Sequence, residues 1–199
     1  LQAALAHWCA QAPLAVDRLP HVPQQTSQSA QGAQSACEGC EEGEQVIVYC
    51  IGSLKNPAIP EVAISLRNAG HEAFDDWWSS SEDCDDWWQA HERQKGRTYR
   101  DAIYGYHARN VYAFDKYHLD RCDAGVLIMP AGRSGHAEFG YLVGQGKPVY
   151  VLFLQEPDKF DIMHLLSTCI VFSVEELLSM LTVLAQVKEY RKAPWNADL

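Results

Sequence analysis

The chain has 199 residues, 47% of them hydrophobic, and a formal net charge of -10, which suits one substantial core with a short appendage rather than two full domains. The negative balance excludes extended binding to a nucleic-acid polymer, which needs clustered Lys and Arg to displace counterions, and leaves single nucleosides or nucleotides open as ligands. No apolar run approaches the roughly 20 residues that cross a bilayer, and the N-terminus has neither the basic flank nor the continuous apolar core of a secretion signal, so the expectation is a soluble cytoplasmic protein with no membrane partner.

Residues 1–16 carry a short amphipathic pattern through Leu1, Leu5, Trp8 and Cys9, and the stretch that follows is dominated by Gln, Ser, Ala, Pro and Gly. Residues 1–45 therefore read as an appendage and linker, 46–190 as the folded domain and 191–199 as a tail. Cys37 and Cys40 form an isolated CxxC in this region. A structural zinc site would want two further ligands, and His7 and Cys9 could supply them only through a long loop closure, so no metal is expected. The seven cysteines are odd in number and scattered, which suits reduced thiols.

Order begins at 46–51, Val-Ile-Val-Tyr-Cys-Ile, a β-rich run that ends at Gly52-Ser53. Residues 57–69 have helical periodicity through Ile59, Val62, Ala63 and Leu66, and Gly70 closes that helix. A short strand follows at 72–74, then a long polar and aromatic excursion containing Asp75-Asp76-Trp77-Trp78 and its echo Asp85-Asp86-Trp87-Trp88. The Trp residues either cover the sheet edge as an aromatic lid or stack on a planar base, in which case Asp76 and Trp77 are substrate contacts. The pattern predicts a helix from Tyr99 towards Arg121, a buried strand at 124–129, a helix over 138–146, strands at 149–154 and 169–172, and a helix over 174–188. Strands alternating with helices imply an α/β fold, a flavodoxin-like, doubly wound, five-stranded parallel sheet. That order brings the ends of the first and third strands together and sets Gly52-Ser53 beside the stretch from Gly132 to Glu138.

Glu138 is expected in the first turn of its helix, where the macrodipole favours a carboxylate whatever the function. A second carboxylate, Asp115, lies on the helix leading into the third strand, so that the two can converge at one sheet edge. Carboxylates paired in a cleft can divide labour as nucleophile and proton donor at an anomeric carbon. Asp123, directly before the third strand, reads as structural, placed to satisfy backbone donors at the strand entry. His136 reads as a partly exposed helix-start residue. Arg133, Ser134 and the backbone N–H groups near Gly135, with Ser53 and Lys55, make either an ordinary polar turn or a small anion pocket suited to a 5′-phosphate. Neither GxGxxG nor a phosphate-loop lysine motif is present, and no cofactor is expected.

The run Glu138-Phe139-Gly140-Tyr141, continuing through Gln145-Gly146-Lys147, resembles the Glu-x-Gly-Tyr-x-x-x-Gln-Gly-Lys signature of the nucleoside 2-deoxyribosyltransferases. The segment from Tyr49 through Gly52-Ser53-Leu54-Lys55 is similar to the first strand and Gly-Ser turn of that family and of the related deoxynucleoside monophosphate N-glycosidases, and the spacing from Asp115 to Asp123 also fits. The resemblance implies that Glu138 attacks C1′ of a 2-deoxyribosyl group, that Asp115 gives a proton to the departing base, and that Tyr49 orients the Glu138 carboxylate. It implies substrate contacts at Gly52, Ser53 and Lys55 and around Gly135. Gly132 stands where the transferases can carry an Asp that contacts the sugar. Asp161 and Met163 align with a late loop that in the transferases reaches a neighbouring subunit's site, which implies a homo-oligomer with Met163 near substrate. The expected activity is transfer or hydrolysis of the 2-deoxyribosyl group of deoxynucleosides or their monophosphates. A nucleotide-sensing module with little turnover and a hydrolase of NAD or another ribosylated nucleotide are the alternatives.

Overall fold

The computed structural model describes residues 44–192. The amphipathic pattern near the N-terminus, nearly all of the linker, Cys37 and Cys40 lie outside the described residues. Five strands, β1 (Ile47–Ile51), β2 (Glu72–Phe74), β3 (Ala124–Ile128), β4 (Val149–Leu152) and β5 (Cys169–Val171), form one sheet in the order β2-β1-β3-β4-β5 with every pairing parallel. This is the flavodoxin-like, doubly wound order.

Successive strand side chains point to opposite faces, and both faces are covered. Val48, Cys50, Val126, Ile128 and Leu152 pack beneath α1 (Ala58–Asn68) and α6 (Val174–Lys192), which contribute Ile59, Val62, Leu66, Leu177 and Leu181. Tyr49, Ile51, Leu127 and Val151 pack on the other side beneath α4 (Tyr106–Arg121) and α5 (Arg133–Gly144), which contribute Leu119, Phe139 and Leu142. At the end of α1 the Gly70 N–H donates to the Arg67 carbonyl and the His71 N–H to that of Leu66. The chain reverses there through Gly70 at φ +88°, a conformation that favours glycine.

Asp123 satisfies a backbone donor, as expected, but at the entry of β1 rather than of β3: its Oδ2 accepts the Ile47 N–H at 2.8 Å, and Lys188 pairs with the same oxygen. Three features depart from the sequence reading. The helix expected from Tyr99 to Arg121 is broken at Gly105 into α3 (Tyr99–Ile103), which a Thr98–Asp101 capping box starts, and α4. The aromatic excursion contains a 3-10 turn (Asp76–Ser80) and a helix, α2 (Cys84–Gln94), whose fully buried residue is Glu92, paired with Arg97. A helix that buries so little apolar surface leaves almost no periodic trace in its sequence. Finally, α5 begins at Arg133, so Glu138 lies in its second turn rather than its first. Gly135 permits the early start, because a Cβ there would come within 3.3 Å of the Gly52 carbonyl oxygen and of Ile51 Cγ2. Among the described residues no helix is long and apolar enough to cross a membrane.

Candidate active site

Tyr49 enters the site from β1, where it is 1% exposed and leans on Phe74 with ring centroids 5.2 Å apart. Glu138 shares the sheet-facing stripe of α5 with Gly135 and Leu142, three residues before it and four after, both buried. Asp115 stands one turn before Leu119, the residue by which α4 enters the same apolar cluster as Tyr49. Three separate elements thus turn polar groups inward at the carboxyl end of the sheet, where ligands of open α/β folds bind.

The groups feel one another. The Tyr49 hydroxyl hydrogen-bonds to the Glu138 carboxylate, which favours its ionised form, but burial, then the neighbouring charge of Asp115, outweigh that bond and push Glu138 up to about 8. Burial, then the charge of Asp85 on α2, pushes Asp115 up to about 6. The Tyr49 phenol is raised far above its ordinary value by burial and by both carboxylates, so it stays a donor. Asp115 Oδ1 is buried with no hydrogen-bond partner among the described residues. An unsatisfied buried carboxyl oxygen costs stability, and such groups collect at sites that await a partner.

The conspicuous motif after Glu138 holds the two carboxylate-bearing helices together. The Tyr141 hydroxyl donates to Asp120 Oδ1 at 2.6 Å and Gln145 Nε2 donates to the same oxygen at 3.1 Å. Lys147 Nζ donates to the Leu119 and Asp120 carbonyls at 2.7 and 2.6 Å. These carbonyls end α4 without intrahelical partners, and a cation there also complements the helix dipole. The motif's Tyr, Gln and Lys therefore clamp the end of α4 against α5 and so set the approach of Asp115 to Glu138.

The remaining candidates divide. Gly52 meets the first turn of α5 at Gly135, as the strand order requires. Ser53 Oγ accepts the Lys55 N–H at 3.2 Å in the turn that follows, while Lys55, Arg133 and Ser134 are solvent-facing or partly so. Trp77 Nε1 donates to the Cys50 carbonyl at 2.9 Å and Trp78 Nε1 to the Asn56 carbonyl at 3.0 Å, so both indole N–H groups are engaged in covering the end of β1. Asp76 is exposed. Lys55, Trp78, Ser79 and Glu82 line a cleft of about 350 Å³ beside them. Met163 is 54% exposed on the 3-10 turn Ile162–Leu166, its N–H bonded to Asp161.

Two residues that the sequence did not single out also matter. Asn56, buried, donates from Nδ2 to the Ile128 and Pro130 carbonyls at 3.2 and 3.3 Å and accepts the Ala58 N–H at 3.0 Å, tying the turn after β1 to the end of β3. Its place just beyond a Gly-Ser turn was the available signal. Asp85 raises Asp115 from a helix that left no periodic pattern.

Neither a family model nor a curated protein matches this chain. Among solved structures it is similar to a 2-deoxyribosyltransferase from the psychrotolerant bacterium Bacillus psychrosaccharolyticus, with 17% identity, coverage of 66% of this chain and 89% of that one, and a TM-score of 0.45. It is also similar to a conserved protein from Enterococcus faecalis V583, with 14% identity, coverage of 70% and 99%, and a TM-score of 0.48.

Proposed function

We propose that the chain is an N-glycosidic-bond enzyme that transfers or hydrolyses the 2-deoxyribosyl group of deoxynucleosides or deoxynucleoside monophosphates. The observation that carries this reading is the half-buried pair Glu138 and Asp115, in which each carboxyl is shifted upward, one is held by Tyr49 and the other keeps a buried, unpartnered oxygen. Glu138 attacks C1′ as a carboxylate. The C1′–N bond breaks, and the base nitrogen takes the proton of Asp115, leaving a glycosyl ester on Glu138. Water or a second base then attacks C1′, Asp115 takes back a proton, and the ester bond to Glu138 breaks. Without substrate the shared proton rests on Glu138, whose carboxyl is raised further than that of Asp115, so it must pass to Asp115 before attack; the Tyr49 hydrogen bond, which favours the ionised Glu138, assists that transfer. Ser53, Lys55, Arg133 and Ser134, with the free N–H groups opening α5, bind the 5′ end of the substrate. Trp77, Asp76 and Met163 border the base.

The protein acts as a homo-oligomer, a reading supported by the exposed apolar side chains of Phe160, Ile162, Leu165 and Leu166 in one short segment. A reducing, cytoplasmic setting suits the free thiols of Cys50, Cys84, Cys122 and Cys169. Incubation with a mixture of deoxynucleosides and their 5′-monophosphates, with and without added adenine, tests the activity by mass spectrometry of released and exchanged bases. Turnover that vanishes in Glu138→Ala supports the assignment; a variant that releases base at the parental rate overturns it, and tight nucleotide binding without product identifies a sensor instead.

A further inference from the structure

At the carboxyl edge of the sheet a second group of side chains converges that the glycosyl chemistry does not use. His136, in the first turn of α5, meets Asp161 and His164 from the 3-10 turn between β4 and β5, and one ligand atom of each lies within 4.8 Å of the others. We propose that His136, Asp161 and His164 form a site for a divalent transition-metal ion of the zinc class, which ties the β4–β5 connection to the helix that carries Glu138.

The two imidazoles are spaced for a shared ion. Their Nε2 atoms are 3.4 Å apart. Two nitrogens bound at about 2.0–2.1 Å and separated by the tetrahedral angle lie about 3.3–3.4 Å from each other. In the absence of an ion the same separation is a long hydrogen bond between the rings, its proton on His164 Nε2, and an ion would displace that proton. His136 Nδ1 sits 2.8 Å from the Gly132 carbonyl oxygen. With the ring proton on Nδ1 donated to that oxygen, Nε2 carries the unprotonated lone pair, the tautomer that metal-binding histidines obtain from a backbone carbonyl behind them.

His164 is 5% exposed, packed edge-on against Phe153 and nearly parallel to His136. Asp161 caps the start of the 3-10 turn, three residues before His164. One of its oxygens accepts the Met163 N–H at 2.9 Å, which leaves the second available as a ligand. Its side chain is exposed and must close by at most about 1.4 Å to reach the tetrahedral edge, a movement that rotation about its own bonds supplies. The carboxylate also offsets the partial positive charge at the start of α5, which would otherwise oppose a cation. Two imidazoles and one carboxylate suit zinc and its first-row neighbours, whereas calcium and magnesium take oxygen sets. The exposed side of the cluster leaves the fourth position open to solvent.

Titration of the full, chelator-stripped chain with Co²⁺, the spectroscopic stand-in for Zn²⁺, tests the site. The expected result is a visible ligand-field band that saturates at one equivalent, lacks sulfur-to-cobalt charge transfer and disappears when Zn²⁺ is added. Asp161→Asn, an exposed position that leaves the metal-free melting curve unchanged, lowers the affinity at least tenfold, as does His136→Gln, and Zn²⁺ then no longer raises Tm. The double variant Cys37→Ser and Cys40→Ser keeps the band. Absence of the band, its persistence at full affinity in both Asp161→Asn and His136→Gln, or its loss with the two cysteines overturns the proposal.

Discussion

Glu138 and Asp115 are half-buried and face each other's charge or that of Asp85, so neither ionises where a carboxyl in water would. Between about 6 and about 8 the pair carries one proton, the count that a nucleophile and an acid acting together require. The kcat/KM for base release is therefore expected to be bell-shaped in pH, with limbs near those values; a flat profile across pH 5 to about 9 would remove the pair from the chemistry. The same shifts have a consequence for stability. Because the folded chain holds these protons more tightly than the unfolded one, the contribution of both groups is fully present below the ordinary carboxyl values and is lost as pH rises through about 6 and about 8. Glu138→Gln, which cannot ionise, is thus expected to be more stable than the parent at pH 8 by about 1–2 kcal/mol, roughly 2–6 °C in Tm, while losing its activity. Melting curves of the two proteins at pH 5 and pH 8 check this, with the gap widening at the higher pH.

At the level of elements, the approach of α4 to α5 decides whether the two carboxyls meet. Lys147 reaches back to the last carbonyls of α4, and Tyr141 and Gln145 hold Asp120 on its final turn. Lys147→Met keeps the aliphatic stem and removes the donor, leaving two carbonyls without it. We expect a loss of about 1–2 kcal/mol in urea unfolding and a fall of about tenfold in kcat/KM, since small displacements of a reacting group are costly. A variant with reduced stability but parental kcat/KM would show that the clamp supports the fold alone. The sequence displayed this motif plainly, yet its residues there stand beside Glu138 only in order along the chain. That they bind a different helix follows from Asp120 and Leu119 lying across from them. Conversely, α2 was not legible because its aromatic and acidic side chains bury little, and the break at Gly105 was hidden because residues on both sides of it carry a helical pattern.

For the whole molecule, Phe160 at 87% and Ile162 and Leu165 near 80% place exposed apolar side chains together in one short segment that also holds Met163. Light scattering is expected to give a multiple of the 22.3 kDa chain mass, and Phe160→Glu with Leu165→Glu to return it to a single chain. A single-chain mass for the parent would leave Met163 without a neighbour to serve. The order of the sheet was legible throughout, because continuous apolar runs such as 124–128 bounded by glycine or charge can satisfy their backbone and side chains only as central parallel strands.

The sequence by itself determined the strands, their parallel order and the edge at which Glu138 stands, since these follow from local periodicity and from the handedness of short crossovers. Only the tertiary structure decided that Asp85 adds its charge to the meeting of Tyr49, Asp115 and Glu138, that the motif's Lys reaches another helix, and that two histidines 28 residues apart face each other at 3.4 Å. Proximity between distant residues depends on how helices settle against the sheet, and that is set by the sum of many weak packing contacts which no short stretch of chain encodes.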